Sequence, residues 1–390
     1  MNIAIIEARY PYKMSYLDEW ISAWRAFSTK CEVFNACQLN DLKRLTAQLR
    51  SKELVVILHT VTGDSNLWLK RITPILAARA CPVILFVGNE YSNPWLSMEQ
   101  RLSDIAELAP DIVATQLSQQ AGEFLYENLC QKVVETPHAL PKRTSFIDSE
   151  LVRKIDLGYR GFEYPWYLLD DDRNLVVREV EKFYKNRRMS LDVSNTARLD
   201  RHGWYSFLQQ CKTTVASEGG SNFVFKTDQV WKEAIMYLEE VEKRKYVKND
   251  FFGSGVVRRL PYQLKQKLRS ISDLFGIKQG ASTSLESETL LEVVSRINIK
   301  EHSYVSGKAI TSRHLDAIYC GTWQILSPGL YNGILQAKTH FTEWNFANPE
   351  ASYEELKIAL ECGRASQVYS ELYKENSYDS RIQTLVQALN

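Results

Sequence analysis

The sequence predicts an α/β protein of two Rossmann-like, doubly wound domains facing a central cleft. Three observations carry this. Short apolar segments alternate with helical periodicities along most of the chain, the pattern of parallel sheets covered by helices. Residues 54–58 and 82–87 are almost wholly apolar, as strands buried on both faces must be. The turn Thr136-Pro-His-Ala-Leu-Pro141, with prolines at 137 and 141, then separates one such set of segments from a second.

In chain order, residues 2–6 read as the first strand. Tyr16, Leu17, Trp20, Ile21, Trp24 and Phe27 follow at helical spacing. Strands over 31–34, 54–58, 82–87, 111–114 and 132–134 continue the first sheet, with helices over 39–49 and 67–80. His59-Thr-Val-Thr-Gly63 and Gly88-Asn-Glu-Tyr91 lie directly past the carboxyl ends of the two most apolar strands. The boundary falls at 140.

Beyond the crossing, residues 155–161 form a strand that ends in Gly158-Tyr-Arg-Gly161. A helix over 176–186, a strand over 189–193 and a helix over 204–210, entered from Asp200-Arg-His-Gly, come next. A strand from 213 breaks into the glycine-rich loop Ser217-Glu-Gly-Gly-Ser-Asn222. Residues 229–292 are mostly helical and read as an insertion in a domain spanning 141–360. Ala309, Ile310, Leu315, Ile318 and Tyr319 form the apolar stripe of a helix from 308, and Gly321 fits the left-handed residue just past its end. A strand over 323–326, a short one near 339–341 and helices from 352 onward complete the chain.

Composition narrows the function. A formal charge of +1 gives no global field for nucleic acid, and no nucleic-acid partner is expected. No run of about 18 apolar residues is present to span a membrane. Residues 1–10 lack the basic and small-residue marks of a signal peptide. Seven scattered cysteines without a CxxC pair suit free thiols in a reducing compartment. The expected location is therefore cytoplasmic. Leu260, Leu264, Leu268, Ile271 and Phe275 share a face with Lys265, Lys267 and Arg269 around it, so 258–275 could rest peripherally on the inner face of a membrane.

Several residue types sit where strand ends should meet the cleft. His59 and Glu90 each follow a buried strand, and either could accept a proton near neutrality. His138, in the crossing, is a weaker candidate of the same kind. Arg160, Lys308 and Arg313 lie on three separate segments and could together neutralise a diphosphate, with backbone donors at a helix start. His314 and Asp316 belong to the same polar cluster as Arg313. Glu218, Gly219 and Ser221 could meet sugar or ribose hydroxyls, the glycines admitting close backbone approach. Asp170-Asp-Asp172 suits a helix N-terminus better than a metal site, and no metal is expected.

Gly158-Tyr-Arg-Gly161, Ser217-Glu-Gly-Gly-Ser221 and the block of Arg313, Asp316, Ala317, Cys320, Gly321 and Thr322 resemble a known family. It is the bacterial GT-B glycosyltransferases, of the family 1-like group with spore-coat and polysaccharide-assembly members. The resemblance covers roughly 150–360, and the N-terminal half only by architecture. It implies a nucleotide-sugar donor in the C-terminal domain and a glycan or lipid-linked glycan acceptor in the N-terminal one. It also implies that 361–390 returns to the N-terminal domain and that neither a metal nor another cofactor is needed. Arg160 and Arg313 would contact phosphate, and Asp316 takes the place of a ribose-holding glutamate. Lys308 stands where retaining members carry a second glutamate, which leaves the stereochemical outcome open. A GT-B-shaped binding protein without catalysis and a nucleotide-sugar epimerase share the same architecture.

Overall fold

The computed structural model describes residues 1–9, 15–63, 65–91, 96–142, 152–195, 199–242, 287–297, 303 and 305–390. Strands β1 (Ile3–Glu7), β2 (Cys31–Asn35), β3 (Leu54–Ile57), β4 (Val83–Phe86), β5 (Ile112–Thr115) and β6 (Lys132–Glu135) build the first sheet. Its order is β2-β1-β3-β4-β5-β6, with every neighbour pair parallel. Helices α1 (Ser15–Phe27), α2 (Leu39–Gln48), α3 (Leu67–Leu76), α4 (Met98–Leu108) and α5 (Gln119–Tyr126) cover it. Strands β1, β3, β4 and β5 are buried throughout, which is why their sequences do not alternate. The sequence reading did not include α4 and α5.

The second sheet has the order β13-β12-β9-β7-β8. Its strands are β7 (Ile155–Arg160), β8 (Leu191–Ser194), β9 (Cys211–Ala216), β12 (Trp323–Leu326) and β13 (Thr342–Glu343). Helices α6 (Asp172–Asn186), α7 (Arg201–Gln210), α8 (Gln229–Glu242) and α9 (Ser287–Arg296) follow in the chain. Among the described residues, the remaining helices are α10 (Ser312–Tyr319), α11 (Pro349–Glu361), α12 (Arg364–Asn376) and α13 (Tyr378–Ala388). Of the helical insertion, only α8 and α9 are described. The amphipathic stretch 258–275 lies outside the described residues.

Several boundaries differ from the sequence reading, each for a visible reason. The glycine-rich stretch is not all loop: β10 (Gly219–Ser221) pairs antiparallel with β11 (Gly307–Ala309), Gly220 opposite Lys308. Local propensity disfavours glycine in strands. Here a Cβ on Gly220, whose φ is +90°, would come within 2.0 Å of the Gly307 carbonyl oxygen, so only glycine fits. Because Lys308 and Ala309 belong to β11, the following helix begins at Ser312 and not at 308. Its stop is as expected, Gly321 having φ +65°. Helix α7 starts at Arg201 because the Asp200 carboxylate accepts from Gly203 N at 2.9 Å. Helix α11 starts at Pro349, where Asn348 accepts from Ala351 N at 3.2 Å.

The chain crosses between domains twice, side by side. Leu140 N donates to Asn376 O at 2.7 Å, and Tyr369 donates its hydroxyl to Pro141 O at 2.9 Å. Helix α12 packs Val368, Tyr369 and Leu372 into the C-terminal core. After Ser377 the chain passes over, and α13 lays Tyr378, Ile382 and Leu385 on the N-terminal sheet beside Trp20 and Trp24. Tyr378 meets the Trp20 ring edge-on at 4.8 Å. No described helix is long and apolar enough to cross a membrane.

Ile382 is fully buried under this returning helix. Ile382→Ala is expected to cost about 2–5 kcal/mol by transfer and cavity terms. Urea unfolding measures it, and a loss below about 1 kcal/mol would show that α13 is not packed there.

Candidate active site

Chain order reverses between β7 and β9 in the C-terminal sheet, and an open parallel sheet leaves a crevice at such a point. A cavity of about 340 Å³ lies there, closed on the other side by loops of the N-terminal domain. That volume suits a small ligand.

The N-terminal wall comes from the loops after β3, β4 and β5, with His59, Glu90, Gln116 and, from the crossing, His138. The loops pack closely: a Cβ on Gly88 would sit 2.3 Å from the His59 carbonyl oxygen, so a side chain would force them apart. Glu90 is held by its neighbours. Thr115 Oγ1 donates to its Oε2 at 2.7 Å, and Gln116 N donates to Oε1 at 2.6 Å. Burial dominates over these bonds and pushes the carboxyl from its ordinary 4.5 to about 7. The His59 and His138 rings lie 5.2 Å apart, and Phe86 packs 5.0 Å from His59. Burial, reinforced by His138, takes His59 well below its ordinary range, and burial takes His138 down to about 4. Both imidazoles are neutral at pH 7, leaving Glu90 the group best matched to accept a proton there.

The C-terminal wall is cationic. Arg313 is the second residue of α10, behind the N-cap Thr311. His314 sets that helix start: its Nδ1 accepts from Thr311 N at 3.0 Å. Burial, and then Arg173 and Arg313, lower the His314 imidazole to about 3, so it stays a neutral acceptor. Arg313 lies 5.2 Å over Trp204 and 5.5 Å over Tyr159, and it donates to the Arg160 carbonyl. Arg173, in the first turn of α6, lies 3.9 Å over the Tyr164 ring and reaches Ser217 O at 3.4 Å. Among the described residues neither arginine has a carboxylate within ion-pair distance. Burial lowers the Arg313 guanidinium, and Arg173 lowers it further. Two partly desolvated cations that repel each other have the chemistry to receive an anion.

The sequence candidates divide accordingly. His59, Glu90, His138, Gly219 and Arg313 meet around this cavity. Arg160 does not line it. Arg160 pairs with Asp192 at 2.6 Å and stacks 4.1 Å over Phe207, and only its carbonyl serves Arg313. Lys308 points the other way, its ammonium between Asp170 (3.3 Å) and Asp172. Glu218 accepts from Tyr331 N at 2.6 Å, and Ser221 donates to Phe223 O at 2.5 Å. Asp316 accepts from Trp204 Nε1 at 2.9 Å and Tyr205 Oη at 3.3 Å, and burial raises it to about 6. These last groups brace the loops around the site.

Arg173 was missed. One signal could have found it: a cation in the first turn of a helix opposes the macrodipole and needs another reason to be there.

No protein family and no curated protein matches the sequence. Solved structures do resemble the fold. HepE from Anabaena, solved with UDP and glucose, superposes with a TM-score of 0.50 at 9% identity, over 100% of this chain and 99% of that one. The same protein with UDP-glucose gives 0.49 at 10% identity, covering 99% and 98%. An alpha-glucosyltransferase in complex with UDP-glucose and DNA containing an abasic site gives 0.48 at 8%, again over 99% and 98%. The first likeness shows the fold: this chain has the GT-B architecture of two Rossmann-like α/β domains.

Two substitutions test the electrostatics. Glu90 has a folded-state value above the unfolded one, so its contribution to stability is complete below about pH 4.5 and is lost as pH rises through about 7. Glu90→Gln is expected to remove that decline, up to about 3 kcal/mol, from urea-unfolding curves taken between about pH 4 and 8. An unchanged slope would refute the buried-carboxyl assignment. Lys308→Ala leaves Asp170 buried without its cation and is expected to destabilise by about 3–5 kcal/mol in the same assay at neutral pH.

Proposed function

We propose that this chain is a glycosyltransferase that moves a sugar from a nucleotide-sugar donor to an acceptor hydroxyl. The observation that carries the reading is the pairing of Arg173 and Arg313, free of carboxylate partners among the described residues, with the buried Glu90 across one cavity. Inverting glycosyl transfer uses such opposed surfaces: stabilisation of a leaving diphosphate on one side and a proton acceptor on the other. The two guanidiniums and the backbone N–H groups at the start of α10 receive the diphosphate as the anomeric C–O bond breaks. Glu90 takes the proton of the attacking acceptor hydroxyl, and the neutral His59 and His138 orient that hydroxyl.

In this reading the diphosphate is neutralised by protein groups and no metal is required. The acceptor is a surface glycan or a lipid-linked glycan, and the enzyme works in the cytoplasm. HepE was solved with UDP and glucose, which makes UDP-glucose the first donor to try.

Calorimetric titration with UDP, GDP, ADP and UDP-glucose tests the donor site. At least one diphosphate should bind, and Arg173→Ala and Arg313→Ala should each weaken it about tenfold or more, the loss of a charge-assisted hydrogen bond. Lys308→Ala, if it folds, should bind normally. If no nucleotide binds, or both arginine variants bind unchanged, the reading fails. Donor hydrolysis followed over hours separates a transferase from a binding protein, and interconversion of the sugar without an acceptor would identify an epimerase.

A further inference from the structure

Helix α4 joins the domain seam to the proton-handling loops through one buried arginine. Arg101 has 0% of its surface exposed. Its Nη1 donates to Asn89 O at 2.6 Å, and its Nη2 to Thr62 O at 3.0 Å and Gly63 O at 3.5 Å. These carbonyls belong to the loops that carry His59 and Glu90. A planar guanidinium can bridge two loops in this way, whereas an ammonium offers no such fork. Arg101 does not line the cavity; it acts on the site through those loops and through its charge, which partly offsets the effect of burial on Glu90.

One turn earlier, the C-terminal domain grips the same helix. Asp228, immediately before α8, accepts from Ser97 Oγ and, at 2.8 Å, from Met98 N. In return its own N–H donates to Glu99 Oε1 at 3.1 Å. Helices α4 and α8 therefore meet N-terminus to N-terminus, with like ends of their dipoles together. The two carboxylates between them offset both.

We propose that Arg101 is a positioning residue for His59 and Glu90, and that Asp228 sets where α4 stands. Docking of the C-terminal domain thereby brings the N-terminal proton acceptor into register with the bound donor. The catalytic part of this proposal rests on the transferase reading above; the mechanical part does not.

Hydrogen–deuterium exchange on the full chain tests the mechanical part, with Arg101→Lys and Asp228→Asn beside the wild type. Both variants should speed exchange at 59–63 and 88–91 about tenfold or more, although Asp228 touches neither loop. Acceleration confined to 97–101 and 226–232 would overturn the proposal, since Asp228 would then be a local cap and nothing more. Should Arg101→Lys not fold, Asp228→Asn decides alone. Kinetics with the donor found by calorimetry test the catalytic part. The turnover number should fall about tenfold with KM for the donor within about twofold, a split that general loosening of the donor site would not give. An altered KM with unchanged turnover would overturn the positioning role. If even the wild type turns over no donor, the transferase reading is what fails, and the exchange data still judge the role of α4.

Discussion

Arg173 and Arg313 stand in the seam between two domains against aromatic faces and backbone carbonyls, with no carboxylate at ion-pair distance among the described residues. Holding two guanidiniums partly out of water without a directly paired carboxylate is costly, and much of the surrounding structure is what keeps that arrangement in place. Four nearby carboxylates have their hydrogen bonds or ion pairs with other groups. Asp192 takes Arg160, Asp170 and Asp172 take Lys308, and Asp316 takes the indole of Trp204 and the hydroxyl of Tyr205. Neutral His314 fixes the helix start from which Arg313 projects, and it stays neutral because burial and the two arginines hold its proton off. The cationic wall is thus made as much by where acids are withheld as by where bases are placed.

The opposite wall follows the reverse logic. Burial makes charge expensive there too, but the groups can respond by changing protonation. Two imidazoles stay neutral, and Glu90 is left poised near 7. A fixed positive surface facing a tunable one is a division of labour that a single sheet edge would find hard to supply. The double crossing at Leu140 and Asn376, with α13 clasped to the N-terminal sheet, holds the two edges face to face.

The architecture was largely legible in the chain. Continuous apolar runs at β3 and β4 and the stop at Gly321 each reflect a local rule, and each lies where that rule put it. The start of α10 was misread because Lys308 and Ala309 pair with residues almost 90 positions away, in a ladder that helical periodicity cannot register. Strand-end logic placed His59 and Glu90 at the cleft, since a residue just past a buried parallel strand has nowhere else to go.

What the amino-acid order determined alone is therefore the two sheets, their polarity and the edge at which chemistry can occur. Only tertiary structure decided which cations are spare. Arg160, Lys308 and Arg313 look equivalent in sequence, but among the described residues two of them form ion pairs with carboxylates on other segments and one does not. Arg173 becomes visible as a partner of Arg313 only when α6 and α10 are brought against the same cavity. Net electrostatics at a site is a sum over neighbours drawn from the whole chain, whereas periodicity and caps are sums over a few adjacent residues. That difference in range is why the fold could be read from the sequence and the charge balance of the site could not.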